Sequence, residues 1–213
     1  MSKKHLITVI GNVASGKTTA VHLLKDQIGL ELLDLDTIFQ AVNPFQEMYL
    51  QDLQRWSFAN ELYLTQRRIE LIRKYFRSNS NAHTIIDSGL LMSLVYTSSH
   101  SIVGNMTKEE WQLYQDLFDT LSHDLPKHTL VVYLSYSMPT LLKRLTKRHR
   151  GYEMKYYKKE YLEQLEKGLD FLVKKLQKEG VPILKITEKE VADFVESRED
   201  EKKLVQKVQD ALG

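Results

Sequence analysis

The chain has 213 residues, a length suited to one compact α/β domain rather than several. Hydrophobic residues at 42% and charged residues at 27% exclude wholesale disorder, and a net charge of +2 gives no general pull toward nucleic acid or membrane. The absence of cysteine excludes a disulfide framework and thiolate metal sites. No apolar run approaches the ~20 residues of a bilayer span, and Met1–His5 does not resemble a secretory leader. A soluble cytoplasmic protein is the expectation, with no internal repeat or linker to divide residues 1–213.

Leu6–Ile10 is short, apolar and β-branched, which predicts a buried strand. Gly16–Gln27 follows as a helix with Ala20, Leu23 and Leu24 on one face. Leu30–Leu35 predicts a second strand, and a long amphipathic helix runs from about Leu53 to Arg77. His83–Ile86 is a third strand ending on Asp87. Thr107–Leu121 is a helix capped by Thr107 with Glu110 three positions on. Leu130–Leu134 is a fourth strand, and Pro139 opens a helix through Lys147. A helix over Tyr156–Lys178, a strand over Pro182–Ile186 and a charged helix over Glu199–Leu212 complete the chain. Strands alternating with amphipathic helices predict an α/β fold, a five-stranded parallel sheet covered on both faces. In such sheets ligands bind beyond the carboxyl ends of the strands.

Gly11-Asn12-Val13-Ala14-Ser15-Gly16-Lys17-Thr18 fits G-x-x-x-x-G-K-[ST] in full. Glycines let backbone amides turn inward around phosphate oxygens, Lys17 supplies a point charge to them, and Thr18 offers a hydroxyl to Mg²⁺. The helix that begins here adds the positive end of its dipole, with Thr19 in its first turn. The motif follows a strand and opens a helix, which is the context that a nucleoside triphosphate cradle requires. A tight strand-to-helix turn without a ligand is the plain alternative.

Asp34 and Asp36 share parity on the second strand, and Asp36 lies nearer its open end. It is the better candidate for activating an acceptor hydroxyl, or else it caps the segment that follows. Asp87 has the place of a strand-end acid that holds Mg²⁺ through water, or of a turn-former before Ser88-Gly89. The seven histidines show no metal-ligand spacing on one helix face. Tyr152, Tyr156, Tyr157 and Tyr161 interleave with lysines; packing of a helix face is favoured over stacking on nucleic acid.

These residues resemble the deoxynucleoside kinase family, and the likeness runs from about Leu6 to Leu212. Beyond the phosphate loop it is carried by Asn43-Pro44, by Arg55-Trp56-Ser57-Phe58 through Arg68, and by Asp87-Ser88-Gly89. Gly104–Trp111 with Tyr114, Val132-Tyr133-Leu134-Ser135, and Arg144, Arg148, Arg150 and Glu153 in a lid spacing also match. So does Asp193-Phe194-Val195, which looks like a loop beside the donor base. The resemblance implies a P-loop kinase fold with an Arg-rich lid at about 144–157. It implies ATP- and Mg²⁺-dependent phosphorylation of a purine deoxynucleoside 5′-hydroxyl by a homodimer. In that reading Arg144, Arg148 and Arg150 close over the transferring group and Glu153 accepts the sugar 3′-hydroxyl. Trp56, Phe58, Glu61, Arg68 and Asp87 line the acceptor side, and Phe194 lies by the donor base.

The departures fall on the acceptor side. Ser88 stands where the family has an arginine, Glu61 replaces a base-pairing glutamine, and Leu50 falls where a tyrosine is usual, beside Tyr49. Ser93 falls where an acid is common, and Asp36 stands near the expected catalytic glutamate. An ionised glutamate offers only acceptors, which suits a base edge with two donors such as guanine's. Two other readings compete with a nucleoside kinase. One is a small-molecule or nucleoside-monophosphate kinase on the same fold; the other is an ATP-binding regulatory subunit that no longer transfers phosphate.

Overall fold

A computed structural model describes residues 5–35, 43–79, 82–148 and 158–213. Its centre is one sheet of five parallel strands: β1 (Leu6–Gly11), β2 (Glu31–Leu33), β3 (Thr84–Asp87), β4 (Leu130–Ser135) and β5 (Ile183–Thr187). Their order across the sheet is β2-β3-β1-β4-β5, so β1 sits at the centre between β3 and β4. Strand parity decides which residues face which layer. Leu6 and Ile10 of β1, Ile86 of β3, and Val131 and Tyr133 of β4 enter one core. Ile7 and Val9, Ile85, and Leu130, Val132 and Leu134 enter the other. The three inner strands β1, β3 and β4 are buried on both sides and read as continuous apolar runs, while the edge strands β2 and β5 are partly exposed.

Helices α3 (Leu53–Ser78), α4 (Leu91–Ile102), α5 (Lys108–Ser122) and α7 (Lys159–Lys178) cover the first face. Helices α1 (Lys17–Ile28), α6 (Met138–Arg148) and α8 (Arg198–Leu212) cover the second. A short α2 (Gln46–Gln51) precedes α3. The capping box expected for α5 is formed: Thr107 Oγ1 accepts from the Glu110 amide at 3.1 Å, and the Glu110 carboxylate accepts from the Thr107 amide at 2.8 Å.

Two expectations are corrected here. The second strand is shorter than Leu30–Leu35, because among the described residues β2 is an edge strand that pairs with β3 alone and its pairing ends at Leu33 opposite Ile86. Asp34 therefore lies past the strand and is exposed, and Asp36 lies outside the described residues, so the parity argument has no strand to act on. Helix α4, not anticipated, is buried along Leu91–Val95 and again at Thr97–Ser99. It lies close against α7, where a Cβ on Gly168 would come within 2.7 Å of Val95 O and Ser98 Oγ. No described helix is long and apolar enough to cross a membrane.

Candidate active site

The centre of the site is the turn from β1 into α1. Gly11 has φ 156°, and a Cβ there would meet Leu134 O and Ser15 Oγ at 2.7 Å, so no larger residue fits. Ala14 takes φ 62° and Gly16 φ 93°, left-handed values that reverse the chain and start α1. The loop is braced by its own groups: the Val13 amide donates to Asn12 Oδ1 at 2.8 Å and the Ser15 amide to Asn12 O at 3.2 Å. Among the described residues nothing bonds the amides of Ala14 and Gly16, and the buried Ser15 hydroxyl has no partner. Unsatisfied donors gathered at a helix N-terminus are what an anion with several oxygens requires. The Lys17 ammonium folds over the same loop and donates to Asn12 O at 2.8 Å.

Thr18 and Asp87, assigned from sequence to one metal, are brought together. Thr18 Oγ1, in the first turn of α1, donates to Asp87 Oδ2 at 2.6 Å. The sheet sets this contact: Asp87 ends β3 in register with Val9, two residues before Gly11. Ser88, at φ 60°, turns back so that its hydroxyl donates to Asp87 Oδ1 at 2.8 Å. A hydroxyl and one carboxylate are hard oxygen ligands that suit Mg²⁺ completed by phosphate oxygens and water. They do not suit a metal that needs a full protein cage, and no cluster of three His, Asp or Glu exists among the described residues.

Sequence reasoning missed what steadies the loop from the first face. Asn12 Nδ2 donates to Leu162 O at 2.9 Å and to Glu166 Oε2 at 3.0 Å, and Tyr133 donates its hydroxyl to Glu166 Oε1 at 2.9 Å. Burial and the Glu166 charge push the Tyr133 phenol well above its ordinary pKa, so it remains a donor. Asn12 and Glu166 are 154 residues apart, and no local spacing signals their meeting.

Two donor-side assignments change. Phe194 is fully buried, and a Cβ on Gly16 would lie 2.8 Å from its ring. It supports the phosphate loop from behind and presents no surface to a base. Arg144 does not stand over the loop as a closing arm. Its guanidinium donates to Ser15 O at 3.2 Å and Ala192 O at 2.9 Å and lies 4.1 Å from the centre of the Tyr136 ring. It clamps the loop to the segment before α8. Arg148 ends α6, but its side chain, Arg150 and Glu153 lie outside the described residues.

Four of the acceptor-side residues, Trp56, Phe58, Glu61 and Arg68, share α3. Glu61 and Arg68, two turns apart, are buried on one face with Asn60 and Thr65, while Trp56 and Phe58 are partly buried a turn earlier. Arg68 donates to Ser93 Oγ at 2.8 Å, which ties α3 to α4 six residues after Asp87. Thr65 bonds the Tyr114 hydroxyl at 2.6 Å. Glu61 Oε1 accepts from Asn60 Nδ2 at 3.1 Å and lies 3.9 Å from His100 Nε2. Burial raises the Glu61 carboxyl to about 7 against the opposing effects of Arg68 and Asn60, and burial lowers His100 to about 4. His100 is thus neutral; its Nε2 meets the Tyr49 hydroxyl at 3.2 Å, which lies beside the exposed Leu50. A cavity of about 490 Å³ is elsewhere: Leu6, His128 and Pro182 place it at the amino edge of the sheet, away from this chemistry.

A β2-β3-β1-β4-β5 parallel sheet with a glycine-rich phosphate cradle at the end of β1, and a Thr–Asp pair beside it, defines a P-loop phosphotransferase. The deoxynucleoside kinase family model matches residues 7–212, so the chain belongs to the deoxynucleoside kinase family. It is 25% identical over 215 residues to the deoxyguanosine kinase of Bacillus subtilis (strain 168), covering 100% of both chains. It is 26% identical over 157 residues to the deoxyadenosine kinase of Lactobacillus acidophilus, covering 70% of this chain and 68% of that one. The solved structure of deoxyadenosine kinase from M. mycoides with bound dCTP superposes with a TM-score of 0.72 at 21% identity, covering 96% of this chain and 99% of the other.

Proposed function

We propose that the chain transfers the γ-phosphoryl group of ATP to the 5′-hydroxyl of a purine deoxynucleoside. The observation that carries this is the Thr18–Asp87 contact at the mouth of the unsatisfied amide cradle, continuous through Ser93 and Arg68 with the buried polar face of α3. The full-length likeness to a deoxyguanosine kinase supports a purine acceptor.

In this reading the loop amides and the dipole of α1 hold the phosphates, and the Lys17 ammonium exchanges Asn12 O for phosphate oxygens. The residues fit Mg²⁺, which Thr18 and Asp87 would hold and which neutralises phosphate charge when bound. The 5′-oxygen bonds to the γ-phosphorus as the bond to the bridging oxygen breaks, and a carboxylate takes the hydroxyl proton. Asp36 is proposed for that role, with Arg148 and Arg150 as the lid and Glu153 on the sugar. Trp56 and Phe58 would flank the acceptor. The homodimer is proposed to use α3 and α5, between which a groove of about 300 Å³ is lined by Leu62, Ile69, Leu117 and Leu121. Free nucleosides and ATP as substrates suit a cytoplasmic protein.

The test is a panel of nucleosides and nucleoside monophosphates with labelled ATP and Mg²⁺. Phosphorylation of purine deoxynucleosides, lost at least a hundredfold in Lys17→Ala, is the expected result. Transfer to monophosphates alone would make it a monophosphate kinase. ATP binding without transfer to any acceptor would leave a regulatory subunit.

A further inference from the structure

Asn12 is the hub of the phosphate loop. Its side-chain oxygen takes up the Val13 amide at 2.8 Å, and its backbone oxygen accepts from the Ser15 amide at 3.2 Å and the Lys17 ammonium at 2.8 Å. Two of the loop's amides are thereby engaged within the loop, while those of Ala14 and Gly16 are left for an anion. The position of Asn12, and the way its side-chain amide is turned, decide that division. Both are fixed from α7. Leu162 and Glu166, one turn apart on a single face of that helix, offer two acceptors: Asn12 Nδ2 donates to Leu162 O at 2.9 Å and to Glu166 Oε2 at 3.0 Å. A carbonyl and a carboxylate cannot donate, so the nitrogen of the Asn12 side chain must face α7 and its oxygen the Val13 amide. The platform is rigid, because Gly168, two residues beyond Glu166, lets α7 lie so near α4 that a Cβ would stand 2.7 Å from Val95 O and Ser98 Oγ. From the sheet, the Tyr133 hydroxyl donates to Glu166 Oε1 at 2.9 Å, and Tyr133 is in register with Ile10, two residues before Asn12. Each oxygen of the partly buried Glu166 carboxylate is thus aimed by a neutral donor, and it makes no ion pair among the described residues. Packing alone does not select such a group, since an apolar or amide side chain would cost less there.

Resting on the reading of this loop as the ATP site, we propose that Glu166 is a positioning residue of that site: acting through Asn12, it fixes which loop donors face the phosphates. It touches no phosphate itself. When Glu166 is cut back to alanine, Asn12 is held by Leu162 O at one point only and its amide swings about that point. The Val13 amide then loses its fixed partner, the loop rests in several arrangements, and ATP must select the one that binds it. With Glu166 in place that ordering is done before the nucleotide arrives.

The experiment is a calorimetric titration of the full chain with ATP and Mg²⁺, beside steady-state kinetics on purine deoxynucleosides and thermal unfolding without ligand. Glu166→Ala should weaken ATP binding about tenfold, the usual size for losing a hydrogen bond to a charged acceptor, and raise KM for ATP in step. KM for the deoxynucleoside should stay as it is. Glu166→Gln should bind ATP as the wild type does, because its oxygen still accepts from Asn12 and its nitrogen can donate to the Tyr133 hydroxyl. Asn12→Asp sets acceptor against acceptor and should bind ATP more weakly than Glu166→Ala. Adding Glu166→Gln to it supplies a donor and should recover about tenfold of the loss, as residues sharing one bond are coupled. A purely structural role would lower the unfolding temperature of Glu166→Ala and leave its ATP affinity intact, and that result overturns the proposal. So does a Glu166→Gln as weak as Glu166→Ala, or a double variant no better than Asn12→Asp alone. If Glu166→Ala does not fold, the Asn12→Asp single and double variants decide. This pattern of ATP binding without transfer to any nucleoside sinks the kinase reading and leaves Glu166 its role. Transfer with ATP affinity unchanged in Glu166→Ala does the reverse.

Discussion

Thr18 Oγ1 stands 2.6 Å from Asp87 Oδ2, joining the first turn of α1 to the end of β3 across 69 residues of sequence. The hydroxyl proton lies between them, so the pair is already arranged as two hard oxygens facing one point beside the phosphate cradle. Thr18→Val keeps the shape and removes one proposed Mg²⁺ ligand; Asp87→Asn keeps the shape and removes the charge. Both are expected to lower kcat by about a hundredfold, the size of effect for an electrostatic partner of a transferring phosphoryl group. Both should also shift the Mg²⁺ dependence of phosphoryl transfer to higher concentration. Steady-state assays across an Mg²⁺ titration measure this, and an unchanged titration in both variants would remove the pair from the metal site.

Phe194 and Gly16 give a second prediction. A methyl group at Gly16 would lie 2.8 Å from Cζ of Phe194 and would sit on a backbone with φ 93°. Gly16→Ala is expected to abolish ATP binding, because either the loop or the ring must move. Phe194→Leu should remain folded and bind ATP, since a smaller apolar group still fills the space behind the loop. Phe194→Ala leaves a cavity and should lose about 3–5 kcal/mol of stability, read by denaturant unfolding. If Phe194→Leu keeps full stability but loses ATP affinity, the ring contacts nucleotide and does not simply support the loop.

The sheet and the cradle were legible in the sequence because both are local signals. Residues buried on two sides give unbroken apolar strands, and the phosphate loop needs its glycine, lysine and threonine at fixed intervals. Helix α4 was not legible for the opposite reason. Buried along most of its length, with Ser93, Thr97, Ser98 and Ser99 inside, it shows no polar face to set a period. Its hydroxyls are satisfied by the helix itself, as Thr97 bonds Ser93 O at 2.8 Å and Ser98 bonds Val95 O at 2.9 Å. The resemblance gives Arg144 as a lid arginine that closes over the transferring group; its contacts with Tyr136 and Ala192 depend on groups that only the folded chain brings near. The Asn12–Glu166–Tyr133 brace is likewise a product of β1, β4 and α7 meeting.

His128 supplies a prediction at the other edge of the sheet. It lines the cavity of about 490 Å³, and its Nδ1 lies 3.0 Å from Thr8 Oγ1. Burial lowers its pKa from the ordinary 6.5 to about 4. Between those values the unfolded chain binds a proton that the folded chain refuses, so stability rises with pH across this window. The contribution is present above pH 6.5 and is lost as pH falls toward 4, at most about 3 kcal/mol by linkage. Glu61 acts in the opposite sense: its raised pKa means the folded chain holds a proton the unfolded one releases between 4.5 and about 7, so its contribution fades as pH rises. Thermal unfolding from pH 4 to pH 7 therefore separates the two. His100, lowered to about 4 by the same cause, adds to the His128 slope, so His128→Gln should flatten the acid side of the wild-type curve, and Glu61→Gln should steepen it by removing the opposing slope. Phosphoryl transfer at pH 7.5 should be unchanged in His128→Gln, because the cavity is remote from the cradle. Equal acid sensitivity in wild type and His128→Gln would show that His128 titrates normally in the folded chain.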